Sequence, residues 1–459
     1  ELSFIINAPG KWIEGFDVAS ELTYSRIPSP SQLYYEWLFD DLLSFPFPVE
    51  TIDSNYGNSK DISPERSEFI EAANDPVFAP KPVSTEDPDL IRLDYGEFEH
   101  SVPDLLVKGL IKGFVEPHSR VLPDVVRNRV ASYMAATRRC LILPDRISLA
   151  QGVFPLFGAF IKTLTKRLGR QPVIALPGGS YGPLYPLIAY HGARVVTLKT
   201  NDEEGFLLTA RMIRQMNEKP DVLWLTQPNN PSGLFFESGQ VSSIIDACVE
   251  REIYLLADEI FFLLSDYRLG EWTPHYLSFG SFLDKNEPGK YIFLTDGLSK
   301  AFAAGGLRCG YMVCPDASFA ADIQAHVQMP PAVILRSWDN LYSAFLDEAP
   351  HAMIDVGQAN QDIRSYLFNC RKLLSTNRDQ LIGLLKEHDL DDKLDTPYRG
   401  GLFALARLAS RRTKLALDEK LLINSAEWSR TGNWSRICYS LPEKKWQEAL
   451  SRLRRFLTS

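Results

Sequence analysis

Residues 294–313 read LTDGLSKAFAAGGLRCGYMV. A hydrophobic run ends in a loop of small residues that carries one lysine, Lys300, and an arginine, Arg308, follows among glycines. The run has the composition of a buried strand. Clearing bulky side chains from around one amine at a strand end makes room for a ligand.

Outward from this stretch, short apolar runs recur: PVIALP, ARVVTLK, DVLWLTQP, EIYLLADEI, YIFLTDG and GYMVCP. Helical spacing separates them, as in FGAFIKTLTKRLG, which ends at Gly169, and GQVSSIIDACVERE. Continuous apolar runs alternating with helices predict parallel strands buried on both faces by crossover helices. The fold class expected is α/β, with a mostly parallel central sheet sandwiched by helices. On such sheets ligands sit at the carboxyl ends of the strands. The large domain is expected over 91–330. Beyond it, SYLFNCRKLLSTNRDQLIGLLKEH and PEKKWQEALSRLRRFL read as helices, and GGLFALARL and SRICYSL as strands. They predict a smaller C-terminal α+β domain over 331–459. Residues 1–90 are rich in aromatics, Pro and Ser without periodicity and predict an extended N-terminal arm.

The bulk numbers narrow the class. A chain of 459 residues with 45% hydrophobic and 23% charged side chains has material for a sizeable core. The net charge of -9 excludes a whole-molecule basic field for nucleic acid. The six cysteines form no CxxC pair and point to a reducing, cytoplasmic setting. No run is apolar enough to span a bilayer, and no spacing of the seven histidines suggests a metal site.

Four signals stand at predicted strand ends: TQPNNPSG (226–233), ADEIFF (257–262), Lys300 with Arg308, and Arg436 in SRICYSL. Each has an ordinary reading alone: a turn, a helix cap, solvated cations, an exposed strand charge. Together, Asn-Pro, then acid, then lysine, then arginine resemble the aspartate aminotransferase superfamily (class I/II), fold-type I enzymes that use pyridoxal 5'-phosphate (PLP). The resemblance covers roughly residues 90–459.

The resemblance implies a role for each residue. Lys300 is expected to hold the cofactor as a Schiff base and to move the substrate α-proton. Asp258 would keep the cofactor's ring nitrogen protonated. Asn230 would hydrogen-bond the ring hydroxyl, and Tyr181 in PGGSYGPLY would stack on the ring. Arg308 would pair with the phosphate, helped by Ser299 and by the backbone of Gly152, Val153 and Phe154 at a helix start. Arg436 would grip the substrate α-carboxylate, with Gly96 close by.

Four positions depart from the family pattern. Gln227 replaces an asparagine, Gly297 a serine or threonine, and Phe261 the tyrosine whose hydroxyl faces the ring oxygen. The segment VEPHSRVLPD lacks a tyrosine that relatives lend across a dimer, though His118 is present. The function expected is a PLP-dependent aminotransferase acting on an amino acid, assembled as a homodimer. Two alternatives stay open: a PLP-dependent lyase or γ-substituting synthase, and a non-catalytic PLP-binding module.

Overall fold

In the computed structural model the described residues are Val83, 87–116, 121–265, 276–345, 361–391 and 399–459. The expected N-terminal arm lies outside them except for Val83 and 87–90, and so does His118. The first strand among the described residues, β1 (Ile91–Arg92), stands apart from the central sheet and pairs in parallel with Leu421–Leu422. The central sheet has seven strands. They are β2 (Ile147–Gln151), β3 (Val173–Pro177), β4 (Arg194–Leu198), β5 (Val222–Thr226), β6 (Tyr254–Asp258), β7 (Ile292–Gly297) and β8 (Cys309–Val313). Their order is β2-β8-β7-β6-β5-β3-β4. β4, β3, β5, β6 and β7 run parallel, so the sheet is mostly parallel, as expected.

One strand corrects the sequence reading. GYMVCP was placed among parallel strands, but β8 is antiparallel to both β7 and β2. The physical reason is the connection: residues 298–308 contain no α-helix, and a parallel return needs a crossover, usually helical. β2 itself was hidden, because ISLAQ is mixed in polarity.

The helices form for legible reasons. Val153–Leu168 buries Leu156, Phe157, Phe160, Ile161 and Leu164 on one stripe against the sheet. Each such side chain contributes roughly 1.5–3 kcal/mol relative to exposure. The helix ends where Gly169 takes a left-handed conformation (φ 66°). Pro123–Arg138 opens with proline at its first turn, where the missing N–H costs nothing. Its last residue, Arg138, is buried.

Toward the C-terminus come β9 (Phe403–Ala406), β10 (Leu421–Leu422), β11 (Asn424–Ser425) and β12 (Ser435–Cys438). β11, β12 and β9 form an antiparallel sheet in that order. The helices Gln361–Glu387 and Glu443–Thr458 are joined by Trp446, whose Nε1 donates to Gln380 Oε1 at 3.0 Å. Backbone from the start of the described chain joins this region, since Cys438 N donates to Leu93 O at 2.9 Å. That contact carries residues 94–96 toward the carboxyl ends of the central strands.

Candidate active site

Register sets the site. Asp258 pairs with Thr226 on one side and Thr295 on the other, so β5, β6 and β7 end side by side. The segments leaving these ends carry Asn230, Asp258 and Lys300.

At the neighbouring end of β2, Gly152 has φ 89° and caps the helix Val153–Leu168. Few residues other than glycine adopt that conformation. A Cβ on Gly152 would lie 2.5 Å from Arg308 Nη2. The guanidinium therefore rests against the bare glycine, beside a helix N-terminus. Arg308 is fixed there by its own left-handed backbone (φ 51°) and by Nη1 donating to Gly305 O at 3.2 Å. An arginine fork beside a helix N-terminus suits a phosphate. Phe154, on the first turn, meets Tyr181 edge-on, with ring centroids 6.4 Å apart. Ser299 is half-buried beside this loop.

Lys300 Nζ donates to Gly96 O at 2.6 Å. Burial lowers its pKa, and the nearby Arg308 and Arg436 lower it further, against opposition from Glu97 and Cys438. An amine so placed is more readily deprotonated than a surface lysine. Gly96 stands over Phe403 and Arg436: a Cβ there would meet Phe403 Cζ at 2.8 Å and Arg436 Nη1 at 4.0 Å. Arg436 donates from Nη1 to Asn230 Oδ1 at 3.0 Å and from Nη2 to Asp94 O at 2.7 Å. Its guanidinium lies 4.3 Å from the Phe403 ring centroid. Asn230 thus uses its carbonyl on Arg436 and keeps its amide donors.

Asp258 is buried, and desolvation pushes its pKa up to about 7. The Ile260 N–H and Thr295 hydroxyl act against this, while Asp296 and Glu259 add to it. A positively charged partner facing the carboxylate would return it to the ionised form.

The structure brings Gly96, Asn230, Lys300 and Arg436 into one connected group, and Gly152, Phe154, Tyr181 and Arg308 into another. Its departures from the family pattern have local causes. Gln227 bridges two backbone segments, donating to Leu277 O at 3.0 Å and accepting from Phe236 N at 3.1 Å. Gly297 faces the Cys309 carbonyl so closely that a Cβ would overlap it. Phe261 packs edge-on against Phe403, with centroids 5.5 Å apart.

Sequence reading did not single out Phe403, Trp428 or Thr295. Trp428 touches both groups: its ring meets Tyr181 at 5.9 Å and lies 5.2 Å from the Arg436 guanidinium. Gly182 is bare because a Cβ there would run into that indole. Phe403 and Trp428 belong to no motif, and only the folded neighbourhood marks them. Among the described residues no acidic, His or Cys group could hold a metal ion, and no helix is long and apolar enough to cross a membrane.

Residues 117–453 match the model of the family described as aminotransferase class I and II. A probable aspartate/prephenate aminotransferase of Aquifex aeolicus is 26% identical over 237 residues, 50% of this chain and 57% of that protein. A methionine S-methyltransferase of Zea mays is 21% identical across 99% of this chain but only 43% of its own length. The chain thus spans about half the length of the curated relatives it matches. The solved aspartate aminotransferase of Thermus thermophilus with maleate superposes with a TM-score of 0.66 at 19% identity, covering 80% of this chain and 92% of that one. Such identity carries the fold alone, whereas the family model runs through the strands of the central sheet, β2 to β8. From the helix before β2 to the closing helix, the chain belongs to the aminotransferase class I and II family.

Proposed function

We propose that this chain is a PLP-dependent aminotransferase acting on an amino acid, with the cofactor attached through Lys300 Nζ. The observation that carries the proposal is the guanidinium of Arg308 seated on bare Gly152 at a helix N-terminus. It lies at the same end of the sheet as Asp258 and Lys300. A cradle that a single Cβ would fill, with a buried carboxylate at the next strand ends, fits a phosphorylated pyridine.

In this reading Arg308, Ser299 and the N–H groups of Val153 and Phe154 would hold the phosphate. Asp258 would partner the ring nitrogen, and the Asn230 amide would donate to the ring hydroxyl. Tyr181 would pack against the ring. When bound, PLP supplies a ring that takes up the electron pair left at the substrate α-carbon. Arg436, with Gly96 clearing space, grips the α-carboxylate by two points and fixes the α-carbon. Lys300 Nζ, its proton affinity lowered by burial, accepts the α-proton and returns it nearby. Phe403 and Trp428 shield that transfer from water.

The two lobes, 91–330 and 331–459, belong to the same reading, with the segment around Leu93 joining the second. So does a homodimer: Ile111, Phe114, Val115 and Leu122 are exposed apolar side chains that a second copy would cover.

The test is the visible absorption spectrum of the full chain mixed with PLP, for the parent and Lys300→Ala, followed by a panel of amino acids. Transamination converts the bound aldehyde to pyridoxamine phosphate. Absence of a Lys300-dependent spectrum overturns the proposal. A second reading, a PLP-dependent lyase, is favoured by Phe261, which puts an aromatic ring where the family has a phenol. Release of oxo acid and ammonia with the aldehyde retained would select it.

A further inference from the structure

Beneath Asp258 lies a charged cluster that none of the roles above uses. Asp258 and Thr295 are register partners across β6 and β7, so their side chains share a face. Thr295 Oγ1 donates to Asp258 Oδ1 at 3.2 Å, and Ile260 N donates to the same oxygen at 3.3 Å. Both hydrogen bonds end on Oδ1, which leaves Oδ2 for a ligand.

One residue further along each strand, the alternation turns Glu259 and Asp296 the other way. There both meet Arg138, from the end of the helix Pro123–Arg138. Its Nε donates to Glu259 Oε2 at 2.9 Å and its Nη2 to Asp296 Oδ2 at 2.6 Å. The side chains of Arg138 and Glu259 are 0% exposed and that of Asp296 3%. The cluster is well supplied with further donors. Glu259 accepts from Ser278 Oγ and from Phe279 N, and Asp296 from Gly297 N at 2.6 Å and Tyr311 Oη at 3.3 Å.

Burying an arginine with two carboxylates costs several kcal/mol of desolvation per ion, and packed apolar residues often serve stability as well. What the cluster adds is geometry. Arg138 holds the residue after Asp258 and the residue after Thr295 at once, so the two strand ends cannot slide past each other. The lysine loop starts from the same anchor, because Gly297 N is bound to Asp296.

We propose that Thr295 is a positioning residue for Asp258, presenting Oδ2 to the cofactor ring, and that Arg138 is the clip that keeps the pair in register. This rests on the reading of Asp258 as the acid that faces the ring nitrogen. The charged groups acting on Asp258 are Asp296 and Glu259, with Arg138 behind them. Thr295 supplies the neutral donor that favours the carboxylate over the acid.

The test uses the full chain without cofactor and follows the carboxyl infrared signal that Asp258→Asn removes. Thr295→Val keeps the shape and deletes the donor. It should move the protonation midpoint of Asp258 upward by about half to one pH unit, the effect of one hydrogen bond. Thr295→Ser should restore the parent midpoint, which a purely structural defect would not allow. An unmoved midpoint in Thr295→Val overturns the positioning role.

For the clip, Arg138→Lys keeps the charge but loses the two-point fork. Hydrogen exchange should speed up at Glu259 N, which bonds Thr295 O at 2.9 Å, and at Gly297 N, while β3 and β4 amides stay protected. Equal exchange at both places overturns the clip. Whether the parent binds PLP is measured separately by its spectrum. Failure there would sink the reading of the site, yet the carboxyl titration would still report on Thr295.

Discussion

Replacing Gly152 by alanine separates the phosphate cradle from ordinary backbone strain. The glycine has φ 89° and ψ 173°, a region that alanine enters at a cost of about 1–3 kcal/mol. The added methyl would also lie 2.5 Å from Arg308 Nη2. Ordinary carbon–nitrogen contacts begin nearly 1 Å further out, so the guanidinium must retreat by about 1 Å. That displacement takes away one charge-assisted hydrogen bond to the phosphate, worth about 1.5–3 kcal/mol. Affinity for PLP should fall by about 10- to 150-fold. The assay is an equilibrium titration of the cofactor-free protein with PLP and, in parallel, with pyridoxal, which lacks the phosphate. The loss should fall on PLP and spare pyridoxal. Gly169→Ala is the control. It has φ 66° and nothing within 4 Å of its Cβ position, so it should cost about 1–2 kcal/mol of stability without touching affinity. Unchanged PLP affinity in Gly152→Ala, or an equal loss for pyridoxal, would refute the reasoning.

Three further predictions follow from the same neighbourhood. Gly297→Ser, which restores the family's hydroxyl, should not tighten cofactor binding, because the Cβ collides with the Cys309 carbonyl; it should destabilise by about 1–3 kcal/mol in urea unfolding, and a gain in PLP affinity would contradict this. Phe261→Tyr should lower the pH midpoint of the cofactor's visible absorbance by adding a donor to the ring oxygen, and an unmoved midpoint would place Phe261 away from the ring. His191 packs against bare Gly158, and burial, with Lys162 adding, pushes its pKa down to about 4. The unfolded chain then binds more protons between about 6.5 and 4, so its contribution to stability is full above pH 6.5 and is lost as pH falls through that window. Asp258, raised to about 7, works in the opposite sense, so the measurement is the difference between parent and His191→Gln. A difference that does not vary between pH 7 and pH 5 would count against a buried neutral histidine.

Much of the fold was legible because the physics was local. Val173–Pro177, Val222–Thr226 and Tyr254–Asp258 announce themselves as buried strands by continuous apolar runs. Gly169 marks a helix end by its freedom to take positive φ. The direction of β8 was not legible, since composition says nothing about orientation and only the length and content of residues 298–308 bear on it. In the candidate site, residues in ordered motifs could be named in advance, among them Lys300, Asp258, Asn230 and Arg308. Trp428 and Phe403 could not, because they reach Tyr181, Gly96 and Arg436 through folding from distant segments. Arg138 belongs to no motif and stands at a helix end. Its burial follows from Glu259 and Asp296, two carboxylates whose position in the core only the register of β6 and β7 determines.

The reversed direction of β8 has a consequence for how this site can change. Because Cys309 starts β8 opposite Gln151, where β2 finishes, Arg308 emerges next to Gly152. Had the strand run the other way, its first residue would have sat some 13–16 Å off, at the opposite rim, at about 3.3 Å per residue. A single short loop can therefore deliver both a reactive amine and an anchoring cation, eight positions apart, to one ligand. The separation between them behaves as a fixed ruler. Lengthening or shortening residues 301–307 would shift Lys300 and Arg308 relative to one another, whereas insertions in the helical crossovers would leave that spacing intact.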